Sequence, residues 1–157
     1  MFLRLILIVA LACMGACQTP MFTYEPVSNP DNGMLYIYRP KASNPGAQPL
    51  RAKYPAMLID GVSKGGLKFN SYLAIELPQG AHKILATGLT PGSNWSEPDR
   101  EVNVNIARGK NQFVKLSVQF DLQQMQVFNP GNKYIIRLAP VAENTAVYEI
   151  RETSKTR

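Results

Sequence analysis

From Gly33 onward, apolar and polar residues alternate with a period of two, and Pro, Gly and Asp-Gly steps break the alternation at short intervals. Met34-Leu35-Tyr36-Ile37-Tyr38-Arg39 is rich in strand formers and stops at Pro40. Ala56-Met57-Leu58-Ile59 is a second short strand, ended by Asp60-Gly61, a pair that suits a two-residue hairpin. Val62 to Phe69 returns across it, with Gly65-Gly66 as a bulge or bend. Leu73, Ile75 and Leu77 share one face of the next strand, Pro78-Gln79-Gly80 turns the chain, and Ala81 to Thr87 is expected to pair back. Val102, Val104 and Ile106 precede the turn Ala107-Arg108-Gly109-Lys110, and Val114, Leu116, Val118 and Phe120 follow it. These two runs read as the best-defined hairpin of the chain. Tyr134 to Leu138 is a further strand. Residues 143–153 suit either a strand, through Tyr148 and Ile150, or a short helix, through Ala146, Val147 and Ile150.

About seven to nine short strands separated by turns predict an all-β fold. The expected architecture is an antiparallel β-sandwich, immunoglobulin- or prealbumin-like, over residues 33–152, with one face of each sheet packed and one wet. Residues 153–157 are expected to be a disordered tail.

The first residues follow a different pattern. Arg4 precedes an uncharged run of 12 residues, Leu5 to Ala16. A membrane-spanning helix needs roughly 20, so residues 1–16 read as a secretory signal. Gly15 and Ala16 stand directly before Cys17, a pattern that resembles the lipobox of bacterial lipoproteins, in which the cysteine is acylated. Met14 stands where leucine is more usual. Cys13 is the rival, but Cys17 has the fuller apolar run before it and polar Gln18-Thr19-Pro20 after it. By resemblance to enteric-type lipoproteins, Gln18 in place of Asp implies sorting to the outer membrane, with the periplasmic face expected. Residues 17–32, with Pro20, Pro26 and Pro30, read as a flexible tether of up to ~45 Å. Met21, Phe22 and Tyr24 leave open a partial docking of this segment as an edge strand.

Both cysteines lie in the first 17 positions, so the domain itself has neither a disulfide nor cysteine metal ligands. Net charge is +6, from 17 Lys+Arg against 11 Asp+Glu, and +5 once Arg4 leaves with the signal. That balance favours anionic partners. Export argues against nucleic acid.

Tyr36-Ile37-Tyr38-Arg39-Pro40, Ile59-Asp60-Gly61, Leu67 and Tyr72 combine with Glu76-Leu77-Pro78-Gln79-Gly80-Ala81-His82, Tyr134 to Leu138 and Ala146 to Ile150. Together they resemble a family of small bacterial lipoproteins known only as a domain of unknown function. The resemblance covers about residues 33–150. It implies a β-sandwich behind a lipobox and no particular activity, and it does not extend to residues 41–55 or the Trp95 region.

No catalytic constellation, metal site or cofactor motif emerges. His82 is the sole histidine, sits beside a turn and has no nucleophile elbow to serve. Zinc would need further nitrogen or sulfur ligands. Asp60, Glu76, Asp99, Glu101 and Asp121 are scattered along the sequence, and Gly65-Gly66 lacks the lysine and helix of a phosphate loop. The suggestive stretch is residues 39–55, where Arg39, Lys41, Arg51 and Lys53 occur without an acidic residue and four prolines limit flexibility. These cations are candidates for contact with lipid phosphates, acidic cell-wall glycan or an acidic envelope protein; a merely solvated loop is the alternative. Trp95, the single tryptophan, is either an exposed contact or a plug over one end of the sandwich.

The expected function is therefore a non-enzymatic, lipid-anchored envelope module. A glycan hydrolase with two facing carboxylates, and a stress-related surface lipoprotein without a ligand, are the alternatives.

Overall fold

The computed structural model describes residues 21–43, 46, 48–123 and 133–156. Among the described residues the complete elements follow in the order β1(Asn32–Arg39), β2(Ala56–Ile59), β3(Val62–Gly66), β4(Ser71–Pro78), β5(Gly80–Thr87), β6(Arg100–Ile106), β7(Asn111–Phe120), β8(Tyr134–Val141), α1(Glu143–Ile150) and β9(Ser154–Lys155). They form a five-stranded sheet, β8-β7-β1-β4-β9, packed on a four-stranded sheet, β3-β2-β5-β6. The all-β sandwich holds. Its larger sheet is mixed, because β1 runs parallel to β7 and β4 parallel to β9.

Alternation places Leu35, Ile37, Val114, Leu116 and Val118 of the larger sheet against Met57, Ile59, Ile84, Val104 and Ile106 of the smaller, all in one buried core. The Asp60-Gly61 hairpin forms as the sequence predicts. Both residues take positive φ, 49° and 81°, the left-handed pair that a tight hairpin turn requires. The β2–β3 register shifts between Ala56 and Leu58, opposite the Gly65-Gly66 stretch.

Two expected hairpins do not form. β4 pairs with β1, and β5 with β2 and β6. β6 pairs with β5, and β7 with β1 and β8. The turns at residues 78–80 and 107–110 are corners at which the chain crosses from one sheet to the other. Alternation identifies a strand's buried face, and two strands facing each other across a core alternate just as two neighbours in one sheet do. The second corner packs on Gly33, where a Cβ would come within 2.5 Å of Ala107 O and 2.8 Å of Lys110 O.

The wet outer face predicted for each sheet holds for the smaller one and is corrected for the larger. On the larger sheet Met34, Tyr36, Tyr38 and Phe113 form a second buried cluster. Ala146 and Ile150 of α1, one helical turn apart, cover part of it, and Phe22 and Val27 cover more. This double burial explains the unbroken apolar run of β1, a central strand. Residues 143–150 are thus helical. Residues 153–156 are not a disordered tail: Ser154 N donates to Asn70 O at 3.1 Å and Thr156 N to Tyr72 O at 2.8 Å, which adds β9 to the sheet edge.

Residues 21–31 do not behave as a free tether either. Ser28 N, Asn29 N and Asn32 Nδ2 all donate to the Glu76 carboxylate at 2.8 Å, and Glu25 N donates to Tyr36 Oη at 2.7 Å. Phe22 meets Tyr36 and Tyr72 edge-on, with ring centroids 5.2 and 5.8 Å apart. Aromatic contact outweighs the extended bias of the prolines. The two backbone donors and the Asn32 amide hold the Glu76 carboxyl down at about 2. Because this pKa lies below its ordinary value near 4.5, the clamp is intact above pH 4.5 and is lost as pH falls toward 2. Glu76→Gln should accordingly lower the amide exchange protection of Ser28 and Asn29 on the order of tenfold at neutral pH. Unchanged protection would show that the clamp holds nothing.

Candidate functional site

Of the four cations singled out in residues 39–55, Arg39 has a different role from the one the sequence suggests. It is 1% exposed. Its Nη1 donates to Lys53 O at 2.6 Å, and its Nη2 donates to Leu50 O at 2.8 Å and Pro49 O at 3.2 Å. The guanidinium also lies 5.6 Å from the Trp95 ring centroid and 6.0 Å from that of Phe69. Burial pulls its pKa down to about 10, which leaves it charged at neutral pH. Arg39 is an internal peg that shapes the loop and does not touch solvent. Five N–H donors in a rigid fork suit it to gather carbonyls from three residues at once.

Trp95 is buried as a plug over the end of the sandwich and is not an exposed contact. Its neighbour Asn94 ties the plug to the basic loop: Tyr54 N donates to Asn94 Oδ1 and Asn94 Nδ2 to Ala52 O, both at 2.7 Å. Gly88 makes room for this loop, since a Cβ there would lie 1.9 Å from Trp95 O.

Lys41, Arg51 and Lys53 are exposed. Lys41 and Arg51 line an open groove of about 640 Å³ together with Lys68 and Lys155. Phe69 contributes its apolar surface, and Arg51 stacks over it at 5.5 Å. Ser71 and Thr156 add hydroxyls joined at 3.0 Å, and Ser71 Oγ donates to Lys68 O at 2.7 Å. Among the described residues no carboxylate lines this groove. Lys155 pairs with Glu25 at 2.8 Å; among the described residues Lys41, Arg51 and Lys68 have no acidic partner. Elsewhere Lys83, Arg108 and Lys115 each face a carboxylate. The groove is therefore a concentration of positive charge with an apolar side, only Lys155 of its cations being ion-paired among the described residues, an arrangement suited to an anionic group attached to something less polar.

The sequence points to Lys41 and Arg51 but not to Lys68, which precedes β4, or to Lys155, which reaches the groove because β9 pairs with β4. Lys53 supplies its carbonyl to Arg39 and does not line the groove. Residues 44, 45 and 47 of the same loop, and both Cys13 and the anchor candidate Cys17, lie outside the described residues.

His82 closes a different contact. Its Nδ1 lies 2.7 Å from Asp60 Oδ2 and its Nε2 2.9 Å from Pro78 O. Both neighbours are acceptors, an arrangement that favours the protonated ring, in which both nitrogens donate. Burial opposes that charge, but Asp60 and Pro78 O override it and raise the pKa, while His82 lowers that of Asp60. Asp60 also accepts from Lys83 N at 2.9 Å. With both nitrogens engaged, His82 braces two turns and has no free nitrogen to take a proton. Glu149 and Glu152 share a groove, but Glu149 accepts from Tyr38 Oη at 2.7 Å and from Lys115 Nζ at 2.5 Å. Among the described residues no cluster of three His, Cys, Asp or Glu is placed to hold a metal ion, and no helix is long and apolar enough to cross a membrane.

Comparison with known proteins gives no match to a family model, a curated protein or a solved structure.

Proposed function

We propose that this chain is an envelope lipoprotein, acylated at Cys17 and directed to the outer membrane, whose β-sandwich binds an anionic group and does not transform it. The observation that carries the binding role is the basic groove of Lys41, Arg51, Lys68 and Lys155 beside Phe69, with three of its cations lacking an acidic partner among the described residues. Three separated segments of the chain build it, and a buried arginine holds one of them in shape. The lipobox-like Gly15-Ala16-Cys17 supplies the address, and the likeness to small bacterial lipoproteins of unknown function agrees with it. The sandwich fold is compatible with many functions and adds no weight of its own.

Inorganic pyrophosphate is a suitable probe, since it presents compact anionic charge without a sequence or sugar to recognise. Titrated into the isotopically labelled full chain, it should shift the amide resonances of Arg51, Lys68 to Ser71 and Ser154 to Thr156 in a saturable way. Combining Lys41→Gln, Arg51→Gln and Lys68→Gln should weaken that binding at least tenfold, given about 1 kcal/mol per close charge pair even in water. Shifts scattered over the whole surface, or a triple variant that binds as before, would remove the groove from the account.

A further inference from the structure

The path of the N-terminal segment fixes where an anchor at Cys17 would hold the domain. Ser28 and Asn29 sit at Glu76, Glu25 at Tyr36 and Phe22 against Tyr72. In the β1–β4 register Met34 faces Glu76, Tyr38 faces Tyr72 and Arg39 faces Ser71. Followed backward from residue 29 to residue 22, the chain therefore crosses the outer face of the larger sheet toward the end that carries Arg39 and Ser71. That is also the end of the basic groove, whose Lys155 lies opposite Tyr72 in register and pairs with Glu25.

Cys17 lies four residue steps before Met21. Even fully extended, four residues span only about 14 Å. A tether free over residues 17–32 would let the domain turn in any direction; one docked from residue 22 does not. The same end carries two bare apolar side chains, Met21 at 90% exposure and Leu89 at 88%, the second in the loop that also holds Trp95. Exposed cations and exposed apolar side chains on the end toward which the docked segment would lead an acylated Cys17 match the chemistry of a bilayer's headgroup layer.

The geometry points to the phosphate groups of anionic phospholipids, in the leaflet that holds the anchor, as the occupants of the Lys41–Arg51–Lys68–Lys155 groove. This rests on the reading that Cys17 is acylated. The docked segment sets the domain's orientation, and the groove turns a lipid tether into a second, electrostatic contact with the same membrane.

The test uses the full chain in vesicles, with the mass of its N-terminal peptide read first. Lysines are then modified with an amine-reactive reagent, and each site is followed by mass spectrometry. In vesicles containing phosphatidylglycerol, Lys41 and Lys68 should react about fivefold more slowly than in phosphatidylcholine alone, the effect of a basic residue held at an anionic surface. Lys110, which sits at the opposite end beside Met34, should react equally in both. Raised salt should abolish the difference. Acyl mass on Cys17 with no selective protection of Lys41 and Lys68 would overturn the inference and leave the anchor standing. Absence of acyl mass on Cys17 would overturn the anchor and the inference together.

Discussion

Tyr36→Ala should lower the stability of the sandwich by about 4 kcal/mol and release the N-terminal segment from the sheet. Tyr36 is fully buried at the centre of the outer cluster. Its ring stacks on Phe113 with centroids 5.1 Å apart and planes 14° from parallel, and Phe22 and Tyr24 approach it edge-on. Its hydroxyl takes the Glu25 amide proton at 2.7 Å. Truncation removes that acceptor, opens a cavity beneath Phe22 and costs the aromatic pairs. With a shift of roughly 3 °C per kcal/mol for a domain of this size, the melting temperature should fall by roughly 12 °C. Amide exchange at Glu25, Ser28 and Asn29 should approach that of an unfolded chain. Tyr36→Phe separates the contributions, since it keeps the rings and loses only the hydroxyl, for about 1 kcal/mol. A loss under about 1 kcal/mol for Tyr36→Ala, with Glu25 still protected, would mean that the outer cluster does not hold the segment.

Arg39→Met should cost about 3 kcal/mol and weaken pyrophosphate binding, although Arg39 does not line the groove. Removing a buried charge also removes its desolvation cost, and replacing a complete buried ion pair by apolar groups is often neutral. Here only one side of the interaction changes. The carbonyls of Pro49 and Lys53 lose their guanidinium donors, Leu50 O keeps only Lys53 N at 3.0 Å, and Trp95 and Phe69 lose the cation beside them. Each buried acceptor left unpaired costs roughly 1–3 kcal/mol. The loop then loses its shape and Arg51 its place over Phe69. Arg39→Lys should fare little better, because one ammonium cannot reproduce the guanidinium fork. Lys53→Gln is the contrasting case: its side chain is exposed and outside the groove, so stability and binding should both be unchanged. Thermal unfolding and the pyrophosphate titration, run on the same three proteins, decide between a peg and a surface cation.

These two residues also show what could be read from sequence. Tyr36 falls in an apolar run that announces a strand, and the run's lack of alternation was the sign that both faces of β1 are covered. Asp60-Gly61 specifies its hairpin locally, through two residues that tolerate positive φ. Arg39 looks like any other cation of its loop, because the burial of an arginine depends on carbonyls 10 to 14 positions away. Val102 to Ile106 and Val114 to Val118 advertise their buried faces, but pairing in register and facing across a core leave the same pattern. Lys68 and Lys155 share a groove through two hydrogen-bonded residue pairs at a sheet edge, a contact with no local signature. Phe22 and Tyr24 were visible as aromatics in a proline-rich stretch. What they dock on is a cluster drawn from β1, β4 and β7, and no single stretch of sequence displays it.

Residues 22–31 are part of the domain and not a spacer, so an anchor at Cys17 would set the basic end of the sandwich on the bilayer. Neutron reflectometry of the full chain in a supported bilayer measures the separation directly. The density of the folded domain should begin within about 14 Å of the acylated residue. A hydrated gap of ~40 Å, the span of a free tether, would contradict it.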